Sequence, residues 1–460
     1  MRQLLTGLLL VWCRCAFSQN PIPVSYEQIH AFDGAHGQYG YAPLTEASDG
    51  KLYGTCVNGG VLDGGVVFRM NTDRSGYEVL HDFMPHMPTD GLSPWGTVIE
   101  GSDGSLYGAT RHGGLSDAGI IFKLNKDGTA FAIVRSFTTN VGEGAYPLNG
   151  VIEGSDGRLY GRTLRGGAKN GNAIFRLNRD GSGYTILHSF GALLADHYTP
   201  YSGLIEASDG ALYGTTVADG AYRIGSVFKI QKDGSGFISL YDFPLTDTNG
   251  YWPEAVLVEA SDGRLYGTTT AGGAFDSGAL FTLKKDGSDF RVIHHFLQEE
   301  VDGYNPTSPP SEGPGGLLYG TTYFGGYADS GTLYAINKSG ANFSIIYRFG
   351  EFPTDGWGPY AEMRWSRDGG LYGATFGGGP DGSGTLFRIT PVVLTAQVAG
   401  PDVLLNLGGF KTHHYGVDAS EQMTNDWVRI ATVTNLTGTV QLRTPRSAGY
   451  RFYRAEVLNP

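Results

Sequence analysis

The stretch SDGALYGTT, residues 208–216, decides the fold, because versions of it return along most of the chain at a nearly constant interval. The tripeptide Leu-Tyr-Gly occurs seven times, and successive tyrosines lie 54 residues apart once and 53 residues apart five times. Its tyrosines are Tyr53, Tyr107, Tyr160, Tyr213, Tyr266, Tyr319 and Tyr372. A fixed period of about 50 residues is typical of a repeat architecture.

Reading outward from this motif, each repeat contains the segments of four short strands. A Gly-x-x-Pro loop precedes an apolar strand that ends in glutamate, and a Ser-Asp-Gly turn leads into Leu-Tyr-Gly-Thr-Thr. A Gly-Gly loop, a Val-Phe-Lys-Leu strand, an Asp-Gly turn and an aromatic strand follow. Asp-Gly favours tight hairpin turns because glycine accepts a positive φ. Four-stranded units with this period predict the blades of a β-propeller.

The aromatic strand follows only six of the seven motifs, and its seventh copy, Tyr26 to Phe32, lies ahead of the first motif. The six pairs are Tyr77/Phe83, Phe131/Phe137, Tyr184/Phe190, Phe237/Phe243, Phe290/Phe296 and Phe343/Phe349. We therefore predict an all-β, seven-bladed propeller over residues 24–391, in which the N-terminal strand completes the last blade. This exchange would remove the open sheet edge of a linear array.

The repeat unit resembles the GloVer tandem repeat of exported bacterial proteins, also described as choice-of-anchor proteins. The resemblance rests on Ser-Asp-Gly-x-Leu-Tyr-Gly-Thr-Thr, the Gly-Gly loop, Gly-x-Val-Phe-Lys-Leu and Asp-Gly-Ser-Gly-Phe. It implies an exported location and a repeat fold, and no established activity. Two copies depart from the pattern: Ala218-Asp219-Gly220 replaces Gly-Gly, and Pro314-Gly315-Gly316 replaces Ser-Asp-Gly.

The two ends of the chain differ from the repeats. Residues 1–18 have the charged start, apolar run and small-residue end of a signal peptide, so we expect cleavage before Gln19 and a secreted, cell-surface or periplasmic protein. The mature chain would keep one cysteine, Cys56, and no membrane-spanning segment. Residues 392–460 alternate apolar and polar side chains, which predicts a small C-terminal β-sandwich that either anchors or caps the propeller.

The composition excludes several classes of protein. Seventy-two glycines among 460 residues exclude an ordinary helical protein, and 40% hydrophobic residues are enough for a substantial core. A formal charge of −12 argues against nucleic acid or an anionic membrane as the main partner. We expect a monomer.

Residues that could carry chemistry are spread over equivalent positions of the blades, and the sequence contains no standard catalytic or cofactor motif. We therefore assign no catalytic residue, metal ligand or cofactor. The glutamates seven positions before the motif tyrosines could form a cation-binding ring, but structural hydrogen bonding is the favoured interpretation. The turn aspartates and the histidines of the aromatic strand are likewise interpreted as structural. These residues are Glu46, Glu100, Glu153, Glu206, Glu259 and Glu312, and His30, His81, His188 and His294.

The longer Gly-x-x-Pro and Gly-Gly loops should share one face of the ring, which is the candidate binding surface. Aromatic residues recur in the proline loops, where they could stack on sugars, anchor a protein or simply wedge between blades. The aromatic candidates are Trp95, Tyr146, Tyr201, Trp252 and Trp357. The other candidates break the repeat in the Gly-Gly loops and are Arg111, His112, Arg162, Arg165 and Arg223.

Three functions remain open from the sequence. The first is an exported, non-catalytic propeller that binds a glycan or protein at the cell envelope. The second is a polysaccharide lyase or glycosidase that uses residues such as Arg162, His112 and His197. The third is a purely structural surface repeat. Whether the protein is an enzyme is undecided, and the balance favours a binding protein.

Overall fold

The fold is described from a computed structural model. It covers residues 24–391, except 86, 169, 192–201, 218–219, 246–247, 299–301 and 353–354, and the strands at 393–399, 402–408, 414–420, 428–434, 439–445 and 452–458. The predicted signal peptide lies outside the described residues. The chain divides into two compact units, Gln28–Phe387 and a second unit made of the residues on either side.

The first unit is a ring of seven antiparallel sheets, so the predicted seven-bladed propeller is confirmed. Blade 1 contains β2 (Thr45–Glu46), β3 (Lys51–Cys56), β4 (Val66–Asn71) and β5 (Glu78–Asp82). Blade 2 contains β7 (Ile99–Glu100), β8 (Leu106–Thr110), β10 (Ile120–Leu124) and β11 (Ala132–Ser136). Blade 3 contains β12 (Ala145–Glu153), β13 (Leu159–Arg165), β14 (Ala173–Leu177) and β15 (Thr185–Ser189). The short strands β6 (Gly91–Leu92) and β9 (His112–Gly113) pair beside blade 2.

Blades 4 to 6 repeat the same order of strands. Blade 4 contains β16 (Ile205–Glu206), β17 (Leu212–Thr216), β18 (Ser226–Ile230) and β19 (Ile238–Asp242). Blade 5 contains β20 (Val258–Glu259), β21 (Leu265–Thr269), β22 (Ala279–Leu283) and β23 (Arg291–His295). Blade 6 contains β24 (Ser311–Glu312), β25 (Leu317–Thr322), β26 (Thr332–Asn337) and β27 (Ser344–Arg348). Two 3₁₀ turns, Pro314–Gly316 and Tyr327–Asp329, lie in blade 6.

The N-terminal strand closes the ring, as predicted. Blade 7 contains β28 (Gly356–Pro359), β29 (Arg364–Trp365), β30 (Leu371–Gly378) and β31 (Thr385–Pro391), and β1 (Val24–Ala31) is its outermost strand. The Phe32 N–H donates to the Gly384 carbonyl at 3.0 Å directly after this pairing. The first and last segments of the propeller therefore share one sheet.

The Leu-Tyr-Gly motif lies in the second strand of each blade, and its tyrosine and glycine have different structural roles. The tyrosine is buried, and its hydroxyl donates to the aspartate of the preceding turn, as in Tyr53 to Asp49 at 2.8 Å. The glycine leaves room for an aromatic ring on the next strand: a Cβ on Gly54 would lie 2.5 Å from Phe68 Cζ. Contact at that distance is a clash, so the ring can pack only over glycine.

Neighbouring blades are joined by a repeated carboxylate latch at the face that carries the Ser-Asp-Gly and Asp-Gly turns, here called the turn face. Glu206 accepts hydrogen bonds from the Ser155 backbone N–H at 2.7 Å and hydroxyl at 2.6 Å, across the blade boundary. The Lys232 ammonium group bridges the same two residues at 2.6 Å. Partial burial opposes ionisation of Glu206, but these hydrogen bonds outweigh it and lower the pKa of the carboxyl group.

The latch recurs at most blade boundaries, which confirms the structural interpretation of the glutamates. The corresponding pairs are Ser48–Glu100, Ser102–Glu153, Ser208–Glu259 and Ser261–Glu312, with Lys126, Arg179, Lys285 and Lys338 as their cations. At the closing boundary Arg367 takes the serine's place: its backbone N–H donates to Glu46 at 2.8 Å and its guanidinium lies 3.8 Å away.

The boundary between blades 6 and 7 has no such latch in the described structure, and both partners are replaced together. Pro314 stands where the serine should be and has no N–H to donate, while Trp365 stands where the glutamate should be. The Trp365 ring meets Tyr319 edge-on at 5.3 Å and closes over Gly313, whose Cβ would lie 2.3 Å from Trp365 Cζ2. An apolar contact has thus replaced an ionic one.

The histidines of the aromatic strand lie in the outermost strands and stack on the next blade. His81 lies parallel to Phe131 with ring centres 3.8 Å apart, and His294 lies on Phe343 at the same distance. His81 also contacts Asp90 at 3.0 Å. No cluster of potential metal ligands occurs among the described residues.

The second unit contains the predicted C-terminal β-sandwich strands. The first sheet is formed by β32 (Val393–Ala399), β33 (Asp402–Gly408) and β36 (Thr439–Pro445); the second is formed by β34 (His414–Ser420), β35 (Val428–Thr434) and β37 (Phe452–Leu458). Val403 and Leu405 in one sheet and Val417 and Ala419 in the other are buried. Within the described residues, no helix is long and apolar enough to cross a membrane.

Candidate functional site

The inner strands of all seven blades surround a central channel with a cavity of about 660 Å³. Each blade contributes residues of its inner strand or of the loop that leads into it. The latch glutamates lie toward the turn face, and the proline loops lie at the opposite face, here called the loop face. A cavity of this size is in the range of small-molecule sites.

The loop-face end of the channel is asymmetric because one lining position changes from blade to blade. This position lies twelve residues before each motif tyrosine. From blade 1 to blade 7 it is occupied by Tyr41, Trp95, Leu148, Tyr201, Glu254, Thr307 and Tyr360. Of these seven, all except Tyr201, which is outside the described residues, line the cavity.

Blades 7, 1 and 2 place Tyr360, Tyr41 and Trp95 next to one another, and these three residues are called the aromatic wall. Tyr41 stacks on Trp95 with ring centres 4.7 Å apart and planes 19° apart. Tyr360 meets Tyr41 edge-on at 5.2 Å. All three side chains are half-buried, so the stack is held rigidly while part of its surface remains open.

A second layer of rings supports the aromatic wall. Phe376 lies 5.4 Å from Tyr41 and stacks with Tyr39 at 4.6 Å, and Trp357 meets Phe376 edge-on at 5.2 Å. On the other side, the Arg111 guanidinium lies 5.6 Å from the centre of the Trp95 ring, a cation–π distance. These contacts hold the ring planes of the aromatic wall in place.

Glu254 belongs to blade 5. It occupies the same repeat position as the three rings of the aromatic wall in blades 7, 1 and 2. It is half-buried, and burial raises the pKa of its carboxyl group to about 7. Its backbone is held on both sides: the Trp252 N–H donates to the Ile224 carbonyl at 3.0 Å, and the Thr215 hydroxyl donates to the Ala255 carbonyl at 3.1 Å. The cavity therefore combines a rigid aromatic surface with a half-buried carboxyl group whose main chain is held in place.

One further ion pair lines the channel. The Arg364 guanidinium lies 3.2 Å from a carboxylate oxygen of Glu362, two residues earlier on the inner strand of blade 7.

Of the ten residues predicted for the binding face, the structure places Trp95 and Arg162 in the channel lining. Arg162 does not lie in a Gly-Gly loop, as its pattern had suggested, but within β13, where it is almost fully buried. Its guanidinium donates to the Ser202 carbonyl at 3.1 Å and to the Thr215 carbonyl at 2.8 Å. In blades 1, 4 and 5 a threonine at this position donates to the equivalent carbonyl of the next blade. Arg162 thus replaces the threonine's hydrogen bond to the next blade with hydrogen bonds from a longer side chain.

The other predicted residues lie around the channel, not in its lining. Tyr146 is half-buried with its ring 5.4 Å from His112, and burial together with Arg111 lowers the pKa of that histidine. Trp252 is half-buried, and Trp357 is 41% exposed. Arg165, the last residue of β13, and Arg223, in the loop between β17 and β18, are exposed. Tyr201 and His197 lie outside the described residues, and nothing in the described structure brings His112 to Arg162.

The sequence pattern did not single out Tyr41, Glu254 or Tyr360. The aromatic residues near the loop prolines occupy positions twelve, fourteen and fifteen before the motif tyrosine, so nearness to a proline does not align them. Counting back twelve from each Leu-Tyr-Gly would have aligned the seven channel positions and shown one acid among them.

The loop face also carries most of the large apolar side chains that the propeller exposes. They belong to the Gly-Gly loops and to the connections between blades, and include Val61, Leu62, Met84, Leu115, Val141, Tyr222, Leu245, Phe275, Tyr327 and Phe352. Exposed apolar residues collected on one face are typical of a binding surface.

A closed ring of seven repeated blades, with irregular residues gathered at one mouth of its channel, defines a tandem-repeat propeller. The chain belongs to the family of the Gloeobacter/Verrucomicrobia repeat, whose model matches residues 15–208 and 200–412. This confirms the resemblance seen in the sequence. No curated protein sequence matches the chain.

Solved structures of similar fold have very different sequences. A puromycin-hydrolysing peptidase of Mycobacterium tuberculosis is 12% identical, with a TM-score of 0.50 over 82% of this chain and 59% of that one. A GH74 xyloglucanase of Xanthomonas campestris is 14% identical, with a TM-score of 0.47 over 84% and 60%. TolB of Acinetobacter baumannii is 12% identical, with a TM-score of 0.38 over 65% and 64%. The chain spans about 60% of the length of these proteins, and the likeness is one of fold alone.

Proposed function

We propose that this protein is an exported binding propeller that takes a saccharide at the loop-face mouth of its central channel. The observation that carries the proposal is the aromatic wall of Tyr41, Trp95 and Tyr360 on a cavity of about 660 Å³. Sugar rings have apolar faces and polar edges, so they stack on flat aromatic rings and hydrogen-bond to carboxylates beside them. Export is supported by the N-terminal pattern of residues 1–18.

A glycan array followed by calorimetry on the purified mature protein tests this proposal. Wild-type protein should bind at least one class of oligosaccharide, and Trp95→Ala should weaken that binding at least tenfold because the stacking surface is removed. The matched control is Phe275→Ala, which removes an aromatic ring that is 55% exposed on the loop face outside the channel lining. The control should bind as tightly as wild type.

Two results would overturn the proposal. One is a blank array with folded protein. The other is equal loss of affinity in Trp95→Ala and Phe275→Ala, which would move the binding surface from the channel to the outer loops. Export has its own measurement: mass spectrometry of secreted protein should give an N-terminus at Gln19.

A further inference from the structure

The carboxylates of the channel differ in whether a cation neutralises them. The latch glutamates that line the cavity, Glu100, Glu153, Glu206 and Glu259, each contact a lysine or arginine at the turn face. Glu362 is paired with Arg364. These five side chains therefore add little net negative charge for a ligand to use.

Glu254 is different. Within the described part of the chain, its carboxylate has neither a hydrogen-bond donor nor an ion-pair partner, and burial alone accounts for the shift in its pKa. It is also the only acid among the seven residues at its repeat position. A half-buried carboxylate without a cation costs free energy that a positively charged ligand would recover.

The main-chain position of Glu254 is fixed by blade packing. Pro253, the residue before it, packs against Gly225 of the previous blade, where a Cβ would lie 2.4 Å from the proline Cδ. Together with the backbone hydrogen bonds of Trp252 and Ala255, this contact leaves the main chain of Glu254 little freedom to move away. Glu254 therefore lines the same cavity as the aromatic wall from a restrained main-chain position.

We propose that the channel selects saccharides that carry a free amino group, whose ammonium pairs with Glu254 while a sugar ring stacks on the aromatic wall. This inference rests on the proposed saccharide binding and names its substrate class. The aromatic wall also suits such a ligand. The face of an aromatic ring attracts a cation and also packs against the apolar face of a sugar. An ion pair formed with a half-buried carboxylate contributes more than one exposed to water.

The experiment compares two probes whose C2 nitrogen is either a basic amine or an uncharged acetamide. Calorimetry would measure glucosamine oligomers against N-acetylglucosamine oligomers of the same length, at low salt and neutral pH. Wild-type protein should bind the amino form at least tenfold more tightly, and Glu254→Gln should bring the ratio close to one. Glu351→Gln, which neutralises an exposed acid of the loop face outside the cavity lining, is the matched control and should keep the wild-type ratio.

The outcomes separate this inference from the proposed function. Equal affinity of wild type for both probes, or a ratio unchanged by Glu254→Gln, would overturn the role of Glu254 and leave saccharide binding standing. Absence of binding by either probe, together with a blank array for folded protein, would overturn both.

Discussion

At the turn face, most inner-strand glutamates meet partners that recur from blade to blade, whereas at the loop face the lining residue twelve positions before the motif tyrosine differs among the blades. Ser155, Glu206 and Lys232 illustrate the first arrangement, and equivalents hold most other boundaries. Tyr41, Glu254 and Tyr360 illustrate the second. Residues at the regular positions thus form the contacts that hold the ring together. Irregular channel positions carry side chains that the repeat does not specify.

The largest expected effect comes from breaking the ring itself. Deletion of residues 24–33 removes β1 and leaves β31 as an exposed edge, so the seventh blade loses its outer strand. We expect cooperative thermal unfolding to be lost or the midpoint to fall steeply, with aggregation, in differential scanning calorimetry. The control is the mature protein beginning at Gln19. Equal midpoints for the two proteins would contradict closure by this strand.

The next effect tests the boundary where the latch has been replaced. Trp365→Glu should lower the free energy of unfolding by about 3 kcal/mol, because the ring contact with Tyr319 is lost and Pro314 offers the new carboxylate no N–H. The double variant with Pro314→Ser should recover part of the loss by supplying the missing donors. Denaturant titration measures both. Additive losses in the double variant would show that the two replacements are independent.

A smaller effect is expected from removing one latch. Glu206→Ala breaks hydrogen bonds from Ser155 and the ion pair with Lys232, and should cost about 2 kcal/mol in denaturant unfolding. Glu78→Ala is the matched control: Glu78 also pairs with a cation, Arg69 at 2.7 Å, but its side chain is 52% exposed. It should cost under about 1 kcal/mol. If Glu206→Ala lowers the free energy of unfolding no more than Glu78→Ala does, the latch does not stabilise the ring.

The smallest effect is a pH dependence at the closing strand. Burial lowers the pKa of His30 to about 4, with Asp33 opposing this shift and His36 adding to it. Because the unfolded chain binds the proton near pH 6.5, stability should be lost as the pH falls from about 6.5 to 4, by an amount of order 1 kcal/mol after solvent screening.

His30→Tyr should reduce this acid sensitivity without removing the ring stack. Tyr241 occupies the equivalent place in blade 4 and lies 3.7 Å from Phe290, much as His30 lies 3.8 Å from Tyr77. Unfolding free energies at pH 7 and pH 4.5 measure the effect. Identical pH profiles for the variant and wild type would contradict a contribution from His30.

Much of the fold could be predicted because the repeat carries its own evidence. The spacing of Leu-Tyr-Gly predicted seven blades, and the displaced aromatic strand predicted how the ring closes. The structural role of the glutamates was also predicted, but their partners were not, since Ser155 and Glu206 lie 51 residues apart and meet only across a blade boundary. The joint loss of serine and glutamate at Pro314 and Trp365 becomes intelligible only through that contact.

The candidate site was predicted less well, for a related reason. Arg162 breaks the repeat and was expected in a loop, yet it reaches the backbone of the next blade from inside β13. Trp95 was singled out as a ring in a proline loop, whereas Tyr41, on which it stacks, was not. A residue that departs from a repeat can therefore serve the same packing need by another route.

The sequence by itself determined the number of blades, the strand that closes the ring and the family, because each depends on contacts whose spacing repeats along the chain. Only the tertiary structure decided which residues share the channel. Tyr41, Trp95, Glu254 and Tyr360 come from blades 1, 2, 5 and 7, and closure of the ring brings them to one cavity. Local patterns cannot encode that meeting, since it depends on the curvature that seven packed blades produce together.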